Sequence, residues 1–192
     1  MAVACRCKDY YRLSLDLSTH DTRVADLERQ LNKASRRNDE RLVCDLYVEI
    51  GDERRRVGDL PAALSYYRRG AELAERLQLH ENASFAHRAI AEILVEPSIQ
   101  ENAKALQHGK KYLEAANKSG SVHIIQLAYH VLGWLHLQIS LNSDVKKETF
   151  LEKGKQWCER SLAYLSKHAA DIDCDNAFVI TSFLLFFSVG SP

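Results

Sequence analysis

A two-helix signature read three times along the chain constrains it most. Small residues at Gly51, Ala91 and Gly133 stand forty and forty-two positions apart, each inside an apolar stretch of helical period. The first copy runs Tyr47, Ile50, Gly51, then a Gly58-Asp59 turn, then Ala63, Leu64, Tyr67, Gly70 and Ala71. The second offers His87, Ile90 and Ala91 followed by Ala105, Leu106, Gly109 and Tyr112. The third offers Tyr129, Leu132 and Gly133 followed by Gly154, Cys158, Ser161 and Leu162. Small residues at matched places on both helices (Gly51, Ala91, Gly133 on the first; Ala63, Ala105, Gly154 on the second) let two helices approach closely while large apolar neighbours fill the space around the contact. Such a repeat is a packing requirement, and it points to a stacked scaffold that binds partners.

The expected fold class is all-α, a tetratricopeptide-like right-handed solenoid of antiparallel helix pairs. The interval exceeds the roughly 34-residue tetratricopeptide unit, so longer helices or turns are expected. The string Gly58-Asp59-Leu60-Pro61-Ala62-Ala63-Leu64 nevertheless resembles that repeat more than HEAT or armadillo units. Residues 1–18 read as an irregular leader. A capping helix over 19–38 starts at a Ser, Thr or Asp cap within Ser18–Asp21, carries Val24, Leu27, Leu31 and Ala34 at helical spacing, and breaks at Asn38-Asp39. Repeat 1 covers 39–80, with helices Glu40–Arg56 and Pro61–Gln78, the proline at a tolerated first-turn place. Repeat 2 covers 81–120, with helices Asn82–Val95 and Glu101–Asn117 parted at Glu96-Pro97-Ser98, where proline forbids continuation. Repeat 3 covers 121–170, with helices from Val122 to about Ser140 and from Thr149 to His168 flanking a polar Asn142–Glu148 loop. In the last segment, 171–192, thirteen residues from Ala177 to Val189 are apolar on all faces. They read as the first helix of a truncated fourth repeat, a terminal lid or a tail anchor, and are short of the ~20 residues a bilayer span needs. No membrane partner is expected.

The 192 residues can bury a substantial core. Lys plus Arg and Asp plus Glu both total 26, so there is no global positive field to hold nucleic acid, and no direct nucleic-acid contact is expected. Three prolines, eight glycines and 27% charged residues suit an almost wholly helical chain. The five cysteines, Cys5, Cys7, Cys44, Cys158 and Cys174, are odd in number and scattered behind an N-terminus with no apolar signal core; they read as reduced thiols of an intracellular protein. Cys5-x-Cys7 is either half of a metal site or an incidental pair. It has no second ligand pair nearby, and neither metal nor cofactor is expected.

Nothing resembles a nucleophile elbow, a phosphate-cradling glycine loop or a zinc-binding His-Glu-x-x-His helix. No enzymatic activity or small-molecule substrate is therefore expected. His87 occupies a packing place and reads as a half-buried structural histidine. His130 and His136, six apart, do not share a helix face. Asp45 and Asp52, two turns apart, read as a solvated wall. Arg54-Arg55-Arg56 with Arg68-Arg69 could touch phosphate, although Asp52, Glu53 and Asp59 nearly cancel the charge.

In tetratricopeptide-like repeats the first helix of each pair lines the concave groove. Counted from the small residue, the lining row is Asp45, Val48, Asp52 and Arg55, then Phe85, Arg88, Glu92 and Val95, then Leu127, His130, Trp134 and Leu137. Carboxylates at one end and apolar and aromatic groups at the other suit an extended or helical peptide with basic residues and an apolar anchor near Trp134.

The segment from Leu27 to about Leu165 resembles the N-terminal tetratricopeptide array of Tonsoku-like proteins. The residues that carry the likeness are Leu27-Glu28-Arg29-Gln30-Leu31 with Lys33-Ala34, the Gly58–Leu64 string, Ala86-His87-Arg88-Ala89-Ile90, Ala105-Leu106-Gln107-His108 with Tyr112-Leu113-Glu114, and Gly133 with Glu159-Arg160-Ser161-Leu162-Ala163. The resemblance implies a non-enzymatic nuclear scaffold in homologous recombination at replication forks, with histones or histone chaperones, the replicative helicase and an obligate repair-complex subunit as partners. Members of that family continue into further repeats, an ankyrin domain and leucine-rich repeats; this chain stops at Pro192 and reads as a fragment, an alternative product or a shortened paralogue. A generic cytoplasmic tetratricopeptide adaptor is the alternative.

Overall fold

A computed structural model describes residues 17–142 and 146–168, and within them every regular element is an α-helix. These are α1 Leu17–Arg36, α2 Glu40–Arg56, α3 Leu60–Arg76, α4 His80–Leu94, α5 Asn102–Ser119, α6 Val122–Asn142 and α7 Lys147–Lys167. The apolar stretch 177–189 and the Cys5-x-Cys7 pair lie outside the described residues.

The helix limits follow local chemistry. Between α1 and α2, Asn38 takes a left-handed φ of 54° and the Asp39 carboxylate accepts the Leu42 amide at 3.2 Å, an N-cap that satisfies one of the free amides of α2. Gly58, at φ 82°, makes the turn into α3, and Asp59 accepts the Ala62 amide at 3.2 Å. The Gly-Asp pair thus provides a left-handed turn residue and a cap in adjacent positions. Gly120, at φ 71°, closes α5 as a left-handed C-cap. Most helix limits fall within two residues of those expected: α3 ends at Arg76 and not Gln78, α4 starts at His80 and not Asn82, and α5 ends at Ser119 and not Asn117. Leu17 and Ser18 belong to α1, so Ser18–Asp21 form its opening turn and do not cap it. The second helix of the third pair begins at Lys147, two residues before Thr149.

The chain divides into two compact units, one ending at Leu73 and the other starting at Ala74, inside α3. In the first, Val24, Leu27 and Ala34 of α1 pack with Val43, Leu46 and Ile50 of α2, and Leu31, Tyr47, Tyr66 and Leu73 flank them. A β-carbon on Gly51 would lie 2.7 Å from the Tyr67 ring, and one on Gly70 3.3 Å from Tyr47 Cβ. The two contacts run in opposite order along the chain, so α2 and α3 are antiparallel and touch through glycine on both sides. Glu53, 1% exposed, is held by His20 Nδ1 at 2.9 Å, Arg23 Nε at 2.8 Å and Arg56 at 2.5 Å. A carboxylate buried to this degree persists because two guanidinium groups, Arg23 and Arg56, pair with it.

In the second unit α4 packs on α5, α6 on α7, α5 on α6 and, more lightly, α4 on α6. Gly133 of α6 faces Cys158 Sγ and the Gly154 carbonyl of α7. Gln126 Nε2 donates to Ser161 Oγ at 3.2 Å, and Ser161 Oγ donates to the Gln126 carbonyl at 3.3 Å. The reversed order again makes the pair antiparallel. α6 is long and apolar enough to cross a membrane, yet 67% of its apolar window is buried here. Its neighbours α4, α5 and α7 account for that all-round apolarity. All six of the small residues matched across the repeats, Gly51, Ala63, Ala91, Ala105, Gly133 and Gly154, are buried.

Candidate functional site

On α4, Phe85, Arg88 and Glu92 fall at i, i+3 and i+7 and so share one face. Phe85 is 41% exposed, the Arg88 guanidinium lies 6.0 Å from the centre of its ring, and Arg88 Nε lies 3.5 Å from Glu92 Oε1. His130 and Trp134 sit one turn apart on α6, both partly exposed, and burial pulls the His130 imidazole below its ordinary range. Since α4 and α6 pack on one another, these five residues belong to adjacent first helices of consecutive pairs. Two members of the expected row do not line any groove. Val95 is 2% exposed and Leu137 is 4% exposed; Val95 ends α4 as its C-cap residue, and Leu137 falls on the buried side of α6.

Asp45, Val48, Asp52 and Arg55 stand on one face of α2, in the first unit. Asp45, Val48 and Arg55 are half-buried and Asp52 is exposed. Asp52 is not simply a solvated wall, because its Oδ1 accepts the Tyr67 hydroxyl at 2.5 Å and ties α2 to α3. The arginine run is largely engaged: Arg54 reaches Glu28 at 3.5 Å and Arg56 binds Glu53. Arg69 lies 6.0 Å from the centre of the Tyr66 ring, and the Tyr66 hydroxyl donates to Glu28 at 2.9 Å.

His87 is buried outright, 2% exposed, and not half-buried as its repeat position suggests. Its Nε2 lies 2.8 Å from Glu75 Oε1, its Nδ1 3.1 Å from His108 Nδ1, and Lys111 Nζ donates to the same Glu75 oxygen at 3.2 Å. Burial lowers the His87 pKa, and the Glu75 carboxylate only partly offsets that. Burial alone would raise Glu75, but its bonds from His87 and Lys111 leave it below the usual carboxylate value. The pattern assigns a neutral His87 that donates from Nε2 to an ionised Glu75 and accepts at Nδ1 from His108. These groups are chained by hydrogen bonds, and among the described residues no group of three or more His, Cys, Asp or Glu is arranged to hold a metal ion. The sequence singles out His87 but gives Glu75, His108 and Lys111 no role beside it; they come from neighbouring helices twelve to twenty-four residues away.

No protein-family model, curated protein or solved structure matches this chain.

Proposed function

We propose that the chain is a tetratricopeptide-like right-handed solenoid serving as a non-enzymatic protein–protein interaction scaffold, and that the first helices of its pairs present a peptide-binding face. The observation that carries the reading is the packing of α4 on α6 with Phe85 left 41% exposed between residues of a matched row. An exposed large aromatic sharing a face with Arg88 and Glu92, on a helix that packs against the one carrying His130 and Trp134, has the composition of an interaction patch. Glu92 suits a basic residue of the peptide and Trp134 its apolar anchor. On α2, the Asp45, Val48, Asp52 and Arg55 face carries the same kind of row.

The test is direct binding of a short fluorescein-labelled peptide bearing lysines around one leucine, followed by anisotropy. Trp134→Ala should weaken it by ~2–4 kcal/mol, and Phe85→Ser should weaken it in the same direction, with helicity unchanged by circular dichroism. Undiminished affinity in both variants would remove this face as the site.

The resemblance to Tonsoku-like arrays narrows the proposal to a nuclear scaffold of fork-associated recombination. Its partners would then be histones or histone chaperones, the replicative helicase and a repair-complex subunit. That step rests on the residue strings alone. A fluorescent fusion concentrated in the nucleus after replication stalling fits it; a cytoplasmic distribution favours the generic adaptor.

A further inference from the structure

A second surface lies elsewhere in the second unit. A cleft of about 320 Å³ is bounded by α5, α6 and α7, and three cations line it: Lys110, Lys153 and Arg160. Among the described residues no carboxylate lines it, and none of the three cations makes an ion pair. Its apolar surface includes Phe150 and Trp157. Trp157 is fixed in place, stacked at 6.0 Å on Tyr129 and covered by the Arg160 guanidinium at 4.6 Å from the ring centre. The remaining polar groups are Gln156, whose Nε2 donates to Glu152 at 3.2 Å, and His136, 7% exposed, whose ring lies 5.8 Å from Phe150 and whose Nδ1 has no hydrogen-bond partner. Buried polar nitrogens in folded proteins are almost always partnered. Burial, reinforced by Lys153 and Lys110, pushes the His136 imidazole down to about 4, so the ring is neutral and its Nδ1 capacity is unused.

The spacing of the charges indicates the kind of ligand. Lys153 and Arg160 are seven residues apart on one helix, roughly 10 Å along its axis, and Lys110 stands on a different helix. A single carboxylate cannot give each of the three its own counter-charge. Acidic side chains a few positions apart on an extended peptide can, since such a chain advances roughly 3.3 Å per residue. The aromatic surface between the cations would receive an apolar side chain.

We infer that the α5–α6–α7 cleft binds an acidic peptide segment with an aromatic or large apolar residue between its acidic positions, the carboxylates meeting Lys110, Lys153 and Arg160 and the apolar residue seating against Phe150 and Trp157. The inference is independent of the α4–α6 face and opposite to it in charge preference.

The experiment titrates the full chain into three labelled peptides: one with aspartates flanking a single phenylalanine, one with serine for the phenylalanine, and one with lysine for every aspartate. The first should bind and weaken steeply with added salt, the second should bind about tenfold more weakly, and the third should not bind. Lys110→Glu with Lys153→Glu, both at exposed positions, should reduce binding of the first by about tenfold or more with an unchanged circular-dichroism spectrum, while Trp134→Ala should leave it intact. The His136 imidazole resonances should shift on saturation with the acidic peptide. Equal affinity for the lysine peptide, or wild-type affinity in the double variant, overturns the inference. So does displacement by phenyl phosphate at the same concentrations as the peptide, which would assign the cleft to a small aromatic anion.

Discussion

A single hydrogen-for-methyl exchange shows how tightly the helix pairs are matched. A β-carbon on Gly133 would stand 2.5 Å from Cys158 Sγ and 3.2 Å from the Gly154 carbonyl, and the second is backbone that no rotamer change can move. Gly133→Ala should therefore destabilise the second unit by roughly 1–3 kcal/mol, read as a lower urea midpoint. Adding Cys158→Ala should recover part of that loss in a double-mutant cycle; full additivity of the two substitutions would show that the sulfur is not the obstruction. This contact was legible from the sequence as a small residue recurring at matched places, because helical period and side-chain volume are local properties. The Glu53 cluster was not. Glu53 stands in the run Asp52-Glu53-Arg54-Arg55-Arg56, which reads as a solvated mixed-charge face, and its burial depends on His20 and Arg23 arriving from α1.

At the scale of the helix, the connections carry the stored cost. Beyond its two left-handed glycines the described backbone holds Asn38, Gln78, Gln100 and Lys146 at φ between 53° and 62°, each at a helix junction. Asparagine tolerates that region, whereas glutamine and lysine have a β-carbon that crowds the following carbonyl. Gln100, at φ 53° just before α5, should be replaceable by glycine with a gain of ~0.5–1 kcal/mol, measured as a raised unfolding midpoint. A loss on that substitution would mean the glutamine side chain itself holds the junction. Gly58 and Gly120 announce their turns in sequence because glycine is the residue that accepts such angles. Gln78 and Gln100 announce nothing, and their conformation follows from where the flanking helices must begin.

The whole molecule should respond to pH through its buried imidazoles. His136 is pushed down to about 4 by burial and by Lys153 and Lys110, and burial also lowers His87 and His130. The unfolded chain takes up a proton at each near the ordinary value of about 6.5 while the folded chain does not, so protons favour unfolding. The resulting stability is fully present above about 6.5 and falls as pH drops toward 4, by up to about 3 kcal/mol for His136. Urea midpoints at pH 7 and pH 5 should show the decline, and His136→Gln should flatten it. An unchanged slope in that variant would assign the pH dependence to the other histidines.

By itself the sequence determined the all-helical class, the near-forty-residue rhythm, the places of helix junctions and the small-residue seams of the first and third pairs. Each of these is written in residues a few positions apart, through helical period, capping chemistry and β-carbon volume. Tertiary structure alone decided which polar groups lie inside and what they meet: the Lys111, Glu75, His87 and His108 chain, the Gln126 and Ser161 pair, and the cation-lined cleft around His136. It also withdrew Val95 and Leu137 from the expected groove row, because the neighbouring helices cover them. Those outcomes depend on side chains from different helices meeting across packed faces, and on the loss of water between them, which no local spacing encodes.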